Sequence, residues 1–384
     1  MAAIFCAHPA FGQTARPVDA ASAPIAEASP QVSTSGPGDI LTLLQNRYTG
    51  LFEKISPAVV RVNAAIPGPT PDAPPTAFVW TGFFITRNGD ILTSNAHHLA
   101  NATQIWVQCG GVGYPAEVKG LDLVTDVALL HATTLPKNFA VLDLADNPQS
   151  PAIGTMLLAV TCKEGQMPGP STGLLQGYNV NVGDMALPTL HLRTNIPDDG
   201  GEGGSPVVDL QGRLVGMMIA SLKDSRSSLV LPSHAALRVR DDLLTNGKVA
   251  YGRLGFSGEQ KSDTTSGVSV HVTSVDYGGP ALVAGLKSGD EVRSLGGVAI
   301  NNEEDLRQAT FYLRPGQEVV LGVNRGGQDI QLTLHVGEMQ MAAEAKSPPP
   351  PTADAAPKPD PAAASLIPGF SIPSLPPPPV EKIK

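Results

Sequence analysis

Short apolar runs separated by turn residues fill the chain from Phe78 to about Leu231, and they constrain its fold more than any other feature. The runs include "FVWTGFFIT", "DILTS", "TQIWVQC", "VALLHAT" and "RLVGMMIAS", with glycine, proline or aspartate between them. Each run has the length of a strand, and helical spacing appears only briefly. The pattern predicts an antiparallel barrel or sandwich.

Composition separates folded segments from unfolded ends. The chain has 384 residues, enough for two or three domains, and contains 40 glycines and 36 prolines. We expect either a signal-peptide remnant or a disordered leader over residues 1–15, a disordered Ala/Ser/Pro-rich lead-in over 16–39 and a disordered Pro/Ala-rich tail over 339–384. The tail fits a spacer better than a ligand for a proline-recognising partner.

Charge and cysteine content exclude several classes of function. A net charge of −9 with scattered cations offers no basic face for nucleic acid. No apolar run reaches the roughly 20 residues of a membrane-spanning helix. No Cys/His spacing indicates zinc, so we expect no metal and no cofactor. Cys109 and Cys162 either pair, as an exported protein allows, or remain two isolated buried thiols.

Two helical segments and a second β-rich module complete the folded part. The segment Ile40–Ile55 has apolar residues at helical spacing, and Ala235–Gly247 fits an amphipathic helix that closes a first domain over residues 40–248. Residues 249–338 form a smaller module with strands near "VSVHVTSV", "DEVRSLGG", "QEVVLGVNR" and "DIQLTLHV". Asn302 is placed to cap a helix in "NNEEDLRQATFYL".

Several segments, in a common order, resemble the HtrA/DegP-type serine proteases. "TGFFITRNGDILTSNAHHLANATQIWV" is similar to that family's histidine region, "TDVALLHAT" to its aspartate strand, "SPVVDLQGRLVGM" to the strand after the nucleophile, and "GGPALVAGLKSGDEVRSLGGVAINNEEDL" to its PDZ core. The resemblance covers Phe52 to Val336. It implies a mainly β fold, with a trypsin-like double six-stranded antiparallel β-barrel followed by one α+β PDZ domain.

The resemblance also implies a catalytic histidine and aspartate. A trypsin-like protease needs an imidazole that accepts the serine proton and an aspartate that holds the other ring nitrogen. Counting back from "ANATQIWV" places the histidine on His97, whereas counting forward from "TGFFITRNGDILT" places it on Ala96. One extra residue therefore precedes the histidine helix. Asp126 in "TDVALL" matches the aspartate without a gap, and His98 is expected on the exposed side of its helix.

The nucleophile motif departs from the family pattern. Anchored on Pro206, the family's Gly-Asn-Ser-Gly-Gly-Pro falls on "GEGGSP", which places Gly203 at the nucleophile position. The backbone amides of Gly201 and Gly203 match the oxyanion hole. Ser205 lies two residues later, roughly 6 to 7 Å further along an extended chain. Attack geometry tolerates only about 1 Å of misplacement, so Ser205 is a poor replacement.

Two neighbouring segments depart from the family as well. Asp198, Asp199 and Glu202 are expected to form a solvated acidic loop, and their charges near an imidazole would favour its protonated form. The family's glycine-asparagine-proline stretch after the "AIG" strand is replaced by "AVTCKEGQ".

The peptide-binding loop of the PDZ module is better kept. The residues of "YGRLGF" occupy the place of the loop whose backbone amides bind a peptide's C-terminal carboxylate, and the candidates are Arg253, Leu254, Gly255 and Phe256. The following strand can accept an extended peptide by β-addition. We interpret "SGEQKSDTTSG" as a polar insert before that module's first long strand.

We therefore expect a periplasmic or secreted HtrA-like protein of quality control or scaffolding. It would bind unfolded or C-terminal peptide segments and lack proteolytic activity because Gly203 replaces the serine. The alternative is an active serine endopeptidase that uses Ser205 with His97 and Asp126 in a remodelled loop. A third hypothesis is an envelope interaction protein that binds through its Pro-rich tail. Family members commonly form trimers through an N-terminal segment, but no such match precedes Phe52, so a homo-oligomer stays an open expectation.

Overall fold

The computed structural model describes residues 37–339 except 69, 71–72, 145–150, 164–166, 183–184, 198–201, 223–226 and 264–266. The predicted signal remnant and all but the ends of the predicted lead-in and tail lie outside these residues. Residues 37–39, predicted as the end of a disordered lead-in, instead begin a helix. No helix in this described part is both long and apolar enough to cross a membrane.

Six antiparallel strands close into a first barrel in the order β1-β2-β3-β6-β5-β4. The strands are β1 Val59–Ile66, β2 Thr76–Phe84, β3 Asp90–Ser94, β4 Gln104–Cys109, β5 Val112–Asp122 and β6 Val127–Ala132. Successive side chains of a strand point to opposite faces of the sheet. On β1, Val60, Val62 and Ala64 share one face and are fully buried in one cluster. These are the runs that the sequence predicts as strands.

Six further strands close a second barrel in the order β10-β11-β12-β9-β8-β7. The strands are β7 Met156–Thr161, β8 Gly169–Val182, β9 Met185–Thr194, β10 Pro206–Asp209, β11 Leu214–Leu222 and β12 Ser227–Pro232. The β8–β9 hairpin is absent from the sequence-based prediction. Its strands carry glycine, proline and asparagine, and their apolar residues do not form a continuous run.

Helices cover the core between the two barrels. α1 Pro37–Ile55 buries Leu51 and Ile55 there but exposes Ile40, Leu41 and Leu43 near its start. α3 Ser233–Asn246 contributes Val239 and Leu243 and ends at Gly247, which has a φ of 68°. A glycine in the left-handed region is a common helix stop, and here the Gly247 amide donates to the carbonyl of Leu243. α2 Ala96–Leu99 is a single turn inside the first barrel.

The third sheet follows these helices and contains the strands of the smaller module. Its order is β14-β15-β16-β18-β19, with β17 on β16, and β13 pairs separately with β20. The bounds are β13 Gly252–Arg253, β14 Phe256–Asp263, β15 Gly267–Val275, β16 Glu291–Leu295, β17 Val298–Ala299, β18 Glu318–Arg325, β19 Gln328–His335 and β20 Gly337–Glu338. The helices are α4 Pro280–Val283 and α5 Glu303–Phe311. As expected, the Asn302 side chain caps α5 by accepting the Asp305 amide at 2.8 Å.

One sequence interpretation of this module is wrong. The residues interpreted as a polar insert form most of β14, which pairs with β15 from Phe256↔Val275 to Asp263↔Gly267. The strand has few apolar residues because it lies at the edge of its sheet, where one of its two backbone sides faces no other strand. An edge strand next to a helix is the element to which a peptide adds in a PDZ domain.

Both candidate cysteines are free thiols. Burial raises the pKa of Cys162 to about 12, so this thiol stays protonated at neutral pH. Burial also raises the pKa of the half-buried Cys109. Neither has the thiolate character that makes a cysteine reactive.

Candidate functional site

The residue before the histidine helix has an unusual backbone conformation. Asn95 has a φ of 67°, a left-handed conformation that asparagine tolerates better than most side chains. α2 begins immediately afterwards, with Ala96 buried and His97 exposed. After this left-handed residue, Ala96 faces the core and His97 begins the exposed side of the turn.

The imidazole of His97 contacts a main-chain carbonyl. Its Nε2 lies 3.0 Å from the Leu123 oxygen, so this nitrogen carries the proton and donates it in the hydrogen bond. A nitrogen committed in this way does not accept a proton from a nucleophile. The neighbouring His98 packs its ring 5.1 Å from that of Phe78 and 5.7 Å from that of Trp80, which gives it a packing role on the barrel surface.

Asp126 lies beside His97, but it accepts hydrogen bonds from main-chain amides. Its Oδ1 accepts the His97 amide at 3.2 Å, and its own carbonyl accepts the Ala96 amide at 3.3 Å. Burial raises the pKa of Asp126, while the amides of His97 and Asn95 partly offset that effect. No hydrogen bond joins this carboxylate to the His97 ring in the described part of the chain. Asp126 therefore satisfies free amides at the start of α2, as an N-cap does.

A tight turn over Glu202–Ser205 forms the loop at the nucleophile position. The Ser205 amide donates to the Glu202 carbonyl at 3.0 Å, and the Gly203 carbonyl accepts the Thr81 amide at 3.0 Å. Gly204 has a φ of 87°, and its amide donates to the Met218 carbonyl at 2.7 Å. These bonds fix the loop between the two barrels. Gly201, the other candidate of the oxyanion hole, lies outside the described residues, as do Asp198 and Asp199.

The space next to Gly203 contains polar side chains from the last residue of β3 and from the residue that follows it. A Cβ built on Gly203 would lie 2.6 Å from Ser94 Oγ and 3.1 Å from Asn95 Nδ2. Asn95 Nδ2 donates to Ser94 Oγ at 2.9 Å. A serine side chain at this position would require Ser94 to rotate away, and the Asn95 amide stands next to the place where its hydroxyl would point.

Ser205 lies immediately before β10, and its side chain is fully buried. Its carbonyl accepts the Met218 amide at 2.9 Å, and its Oγ has no hydrogen-bond partner among the described residues. The structure brings His97 and Asp126 together but joins neither of them to Ser205 by a hydrogen bond. A buried hydroxyl without a base cannot reach a peptide bond in solvent.

Glu202 corrects one sequence-based expectation. It is fully buried rather than solvated, and its Oε1 lies 3.0 Å from Nζ of Lys163. Arg61 Nη2 in turn donates to the Lys163 carbonyl at 2.8 Å. A carboxylate is buried at tolerable cost only when a cation accompanies it, and Lys163 provides that cation. The partner was not apparent in the sequence because 163 and 202 are distant along the chain.

The loop Tyr251–Phe256 leads into the edge strand β14. Gly255 has a φ of 81°, and a Cβ there would meet Pro280 Cδ at 2.9 Å, so only glycine fits this turn. The Gly255 carbonyl accepts the Asp276 amide at 2.9 Å. On the other side of β14 lies α5, whose Leu306 methyl is 3.9 Å from a Cβ built on Gly258. The four candidate residues Arg253, Leu254, Gly255 and Phe256 thus form the connection from β13 into the first residue of β14.

Two domain families match the chain in the regions that these barrels and this sheet occupy. A trypsin-like peptidase domain matches residues 80–217, and a PDZ domain matches residues 252–336. The fold and the site therefore define a trypsin-like peptidase domain with one PDZ domain.

Related proteins narrow this class. A putative serine protease HhoB of Synechocystis sp. is 24% identical over 70% of this chain and 68% of its own length. A probable periplasmic serine endoprotease, DegP-like, of Halomonas elongata is 28% identical over 67% of this chain and 56% of its own length. The solved structure of the HtrA-type protease AlgW with a tripeptide has a TM-score of 0.64 at 25% identity and covers 77% of this chain and 98% of that protein. Over these two domains the chain is similar to HtrA/DegP-type serine proteases.

The fold class expected from the sequence is confirmed by these matches. The chain spans little more than half of the length of the DegP-like relatives, as the 56% coverage of the Halomonas protein illustrates. Activity and partners of the longer relatives are therefore not transferred to it directly.

Proposed function

We propose that this chain is a periplasmic or secreted HtrA-like protein that binds unfolded or C-terminal peptide segments without cleaving them. The proposal is supported by the motif register, which aligns Gly203, a residue without a side chain, with the family's nucleophilic serine. An oxyanion turn without a nucleophile polarises a bound carbonyl but accelerates hydrolysis only modestly.

The surroundings of Gly203 support the absence of proteolysis. Ser205, the alternative nucleophile, is fully buried and its Oγ has no partner in the described part of the chain. His97 Nε2 is engaged by the Leu123 carbonyl, and Asp126 accepts the His97 amide. Three separate rearrangements would be needed before these groups acted as a triad.

The PDZ module supports peptide binding. β14 is an edge strand, and the glycine turn at Gly255 precedes it. An extended peptide that adds to β14 gains main-chain hydrogen bonds, and its terminal carboxylate reaches the loop amides. The HtrA-type relative AlgW has been solved with a tripeptide, which is in keeping with this assignment. The periplasmic location follows relatives that are described as probable periplasmic endoproteases.

Incubation of the purified chain with unfolded casein and a serine-directed fluorophosphonate probe tests the proposal. We expect casein to bind, as measured by fluorescence anisotropy, and to remain intact on gels. The fluorophosphonate probe should label the unchanged protein no more than it labels a Ser205→Ala variant. Casein turnover together with covalent labelling at Ser205 would establish the active endopeptidase instead.

A second variant tests the explanation based on geometry. Gly203→Ser combined with Ser94→Ala restores a hydroxyl and clears the space that Ser94 Oγ occupies. We expect this double variant to remain inactive, because the Asp126 carboxylate and the His97 ring are committed to main-chain groups. Casein cleavage by the double variant would contradict that part of the proposal, since it would mean that Gly203 alone accounts for the inactivity.

A further inference from the structure

An ion pair spans the carboxylate-binding loop of the PDZ module. Arg253 is the only cation in the segment Tyr251–Phe256, and its Nη2 lies 2.6 Å from Oδ2 of Asp276. The Asp276 amide also donates to the Gly255 carbonyl at 2.9 Å, which holds this residue against the middle of the loop. The carboxylate of Asp276 is thus fixed beside the loop expected to receive a peptide's carboxylate.

The loop geometry suits an anion. Gly255 is left-handed, with a φ of 81°, and a left-handed residue in a turn brings successive backbone N–H groups toward one side. A guanidinium adds a full charge and several donors suited to carboxylate oxygens. Arg253 therefore gives this loop an electrostatic preference for a carboxylate that its amides alone would supply more weakly.

Asp276 already offsets part of the attraction between Arg253 and a carboxylate. Its negative charge compensates the guanidinium and repels an arriving carboxylate of the same sign. The pair is accessible from solvent, because the side chains of Arg253 and Asp276 are 52% and 38% exposed and the adjacent Tyr277 is fully exposed. An exposed ion pair contributes little to stability, so a ligand can replace it without disturbing the fold.

We propose that Asp276 is an internal competitor for Arg253 that lowers the affinity of the PDZ loop for peptide C-termini. In the peptide-free protein Asp276 holds the guanidinium, and an incoming terminal carboxylate displaces it. Asp276 thereby sets a weak, readily reversible affinity, as suits a protein that must release its clients. This inference rests on the proposed peptide binding, whose failure the experiment below recognises separately.

The test compares peptide pools that differ only at the C-terminus. Fluorescein-labelled random decapeptides with a free C-terminal carboxylate, and the same pool with C-terminal amides, are titrated with the full chain and followed by anisotropy. Asp276→Asn should bind the carboxylate pool about twofold to fivefold more tightly than the unchanged protein, as expected for one exposed charge pair. Affinity for the amide pool should not change. Asp329→Asn removes the same charge from the β18–β19 hairpin and should have no effect.

A second variant locates the effect on Arg253. In an Arg253→Gln background, Asp276→Asn should give no gain, because no guanidinium is left to release. An unchanged or weakened affinity of Asp276→Asn for the carboxylate pool would overturn the competitor role while leaving peptide binding intact. If neither the unchanged protein nor any variant prefers the carboxylate pool over the amide pool, the proposed recognition of C-termini fails, and the competitor role fails with it.

Discussion

At the scale of single residues, the conformation of the Glu202–Ser205 loop depends on the close approach of its backbone to that of Thr81. Thr81 contacts three segments: its amide donates to Gly203, its carbonyl accepts from Thr93 Oγ1, and its Oγ1 accepts the Cys162 amide at 2.8 Å. Gly204 lies against the same carbonyl. A Cβ built there would fall well inside contact distance of that oxygen and 2.8 Å from Thr93 Oγ1. The glycine is therefore required by packing, whether or not the loop is catalytic.

Gly204→Ala should lower the free energy of unfolding by about 3 kcal/mol or more, since backbone strain and a steric clash add. The matched control is Gly111→Ala, which has a similar φ of 82° but nothing within 4 Å of the new Cβ. The free energy of unfolding of the control should fall only by the cost of backbone strain, about 1 to 2 kcal/mol. Urea unfolding followed by the fluorescence of the two tryptophans measures both values. Equal losses in the two variants would mean that the loop moves to accept a side chain.

Two departures from the family pattern meet at this loop. In the register predicted from the sequence, Glu202 aligns with the asparagine before the nucleophile, and Lys163 lies in the segment aligned with the glycine-asparagine-proline stretch. The two form an ion pair at 3.0 Å. Either charge without the other would be unfavourable, because it would be left uncompensated in or near the core.

At the scale of elements, one ionic cluster joins three strands of the first barrel. Asp90 on β3 accepts from Lys119 Nζ of β5 at 3.1 Å and lies 3.0 Å from Nδ1 of His131 on β6. Thr86 Oγ1 donates to the same carboxylate at 2.9 Å. Burial by itself would raise the pKa of Asp90, but the bonds from His131, Thr86 and Lys119 together hold it below its ordinary value.

This lowered pKa predicts a pH-dependent contribution of Asp90 to stability. An acid whose pKa is lower in the folded state stabilises it above the unfolded pKa of about 3.9, and this contribution is lost as the pH falls through the folded pKa. Asp90→Asn should cost about 2 kcal/mol at pH 7, and the difference should shrink as the pH falls below about 4. Urea unfolding at pH 7, 5, 4 and 3 measures the trend.

Asp143→Asn is the control for that series, because its side chain is 89% exposed. It should change stability little at any of these pH values. A difference between the Asp90 variant and the unchanged protein that stays constant down to pH 3 would contradict the assigned direction of the pKa shift.

Elements also differ in how far the sequence specifies them. The barrel strands with aliphatic runs and the helices α3 and α5 follow from local patterns, since Gly247 and Asn302 provide the expected end and cap. The hairpin β8–β9 and the edge strand β14 do not. Their strand structure comes from pairing with neighbours that are already formed, and local preference contributes little.

At the scale of the whole molecule, a buried cluster joins the first barrel to the start of the PDZ module. The Tyr251 hydroxyl donates to Asp122 at 2.6 Å, and Asp122 also accepts the hydroxyl of Thr125 and the amides of Val124 and Thr125. Arg238 of α3 stacks on the Tyr251 ring, 4.8 Å from its centroid. The segment that carries Asp122 continues directly to Leu123 and Asp126, the two residues that hold His97.

Tyr251→Phe should lower the free energy of unfolding by about 1 to 3 kcal/mol, because it removes a donor from a buried carboxylate while keeping the ring. Tyr277→Phe, on a fully exposed side chain, is the control and should have no measurable effect. The two variants are compared by urea unfolding monitored by circular dichroism, which reports on barrels and PDZ module together. Equal stability of both variants would contradict a structural role of this junction.

Strand periodicity, turn residues and motif order are local properties, so the sequence alone predicts the two architectures and their order, and its motif register predicts Gly203 at the nucleophile position. The surroundings of that glycine are set by the tertiary fold. It placed Lys163 against Glu202, turned His97 to a carbonyl, assigned Asp126 to the start of α2 and buried Ser205, since each of these depends on which distant backbone groups need a partner. The ion pair between Asp276 and Arg253 likewise depends on the tertiary fold, and no local pattern in "YGRLGF" indicates it.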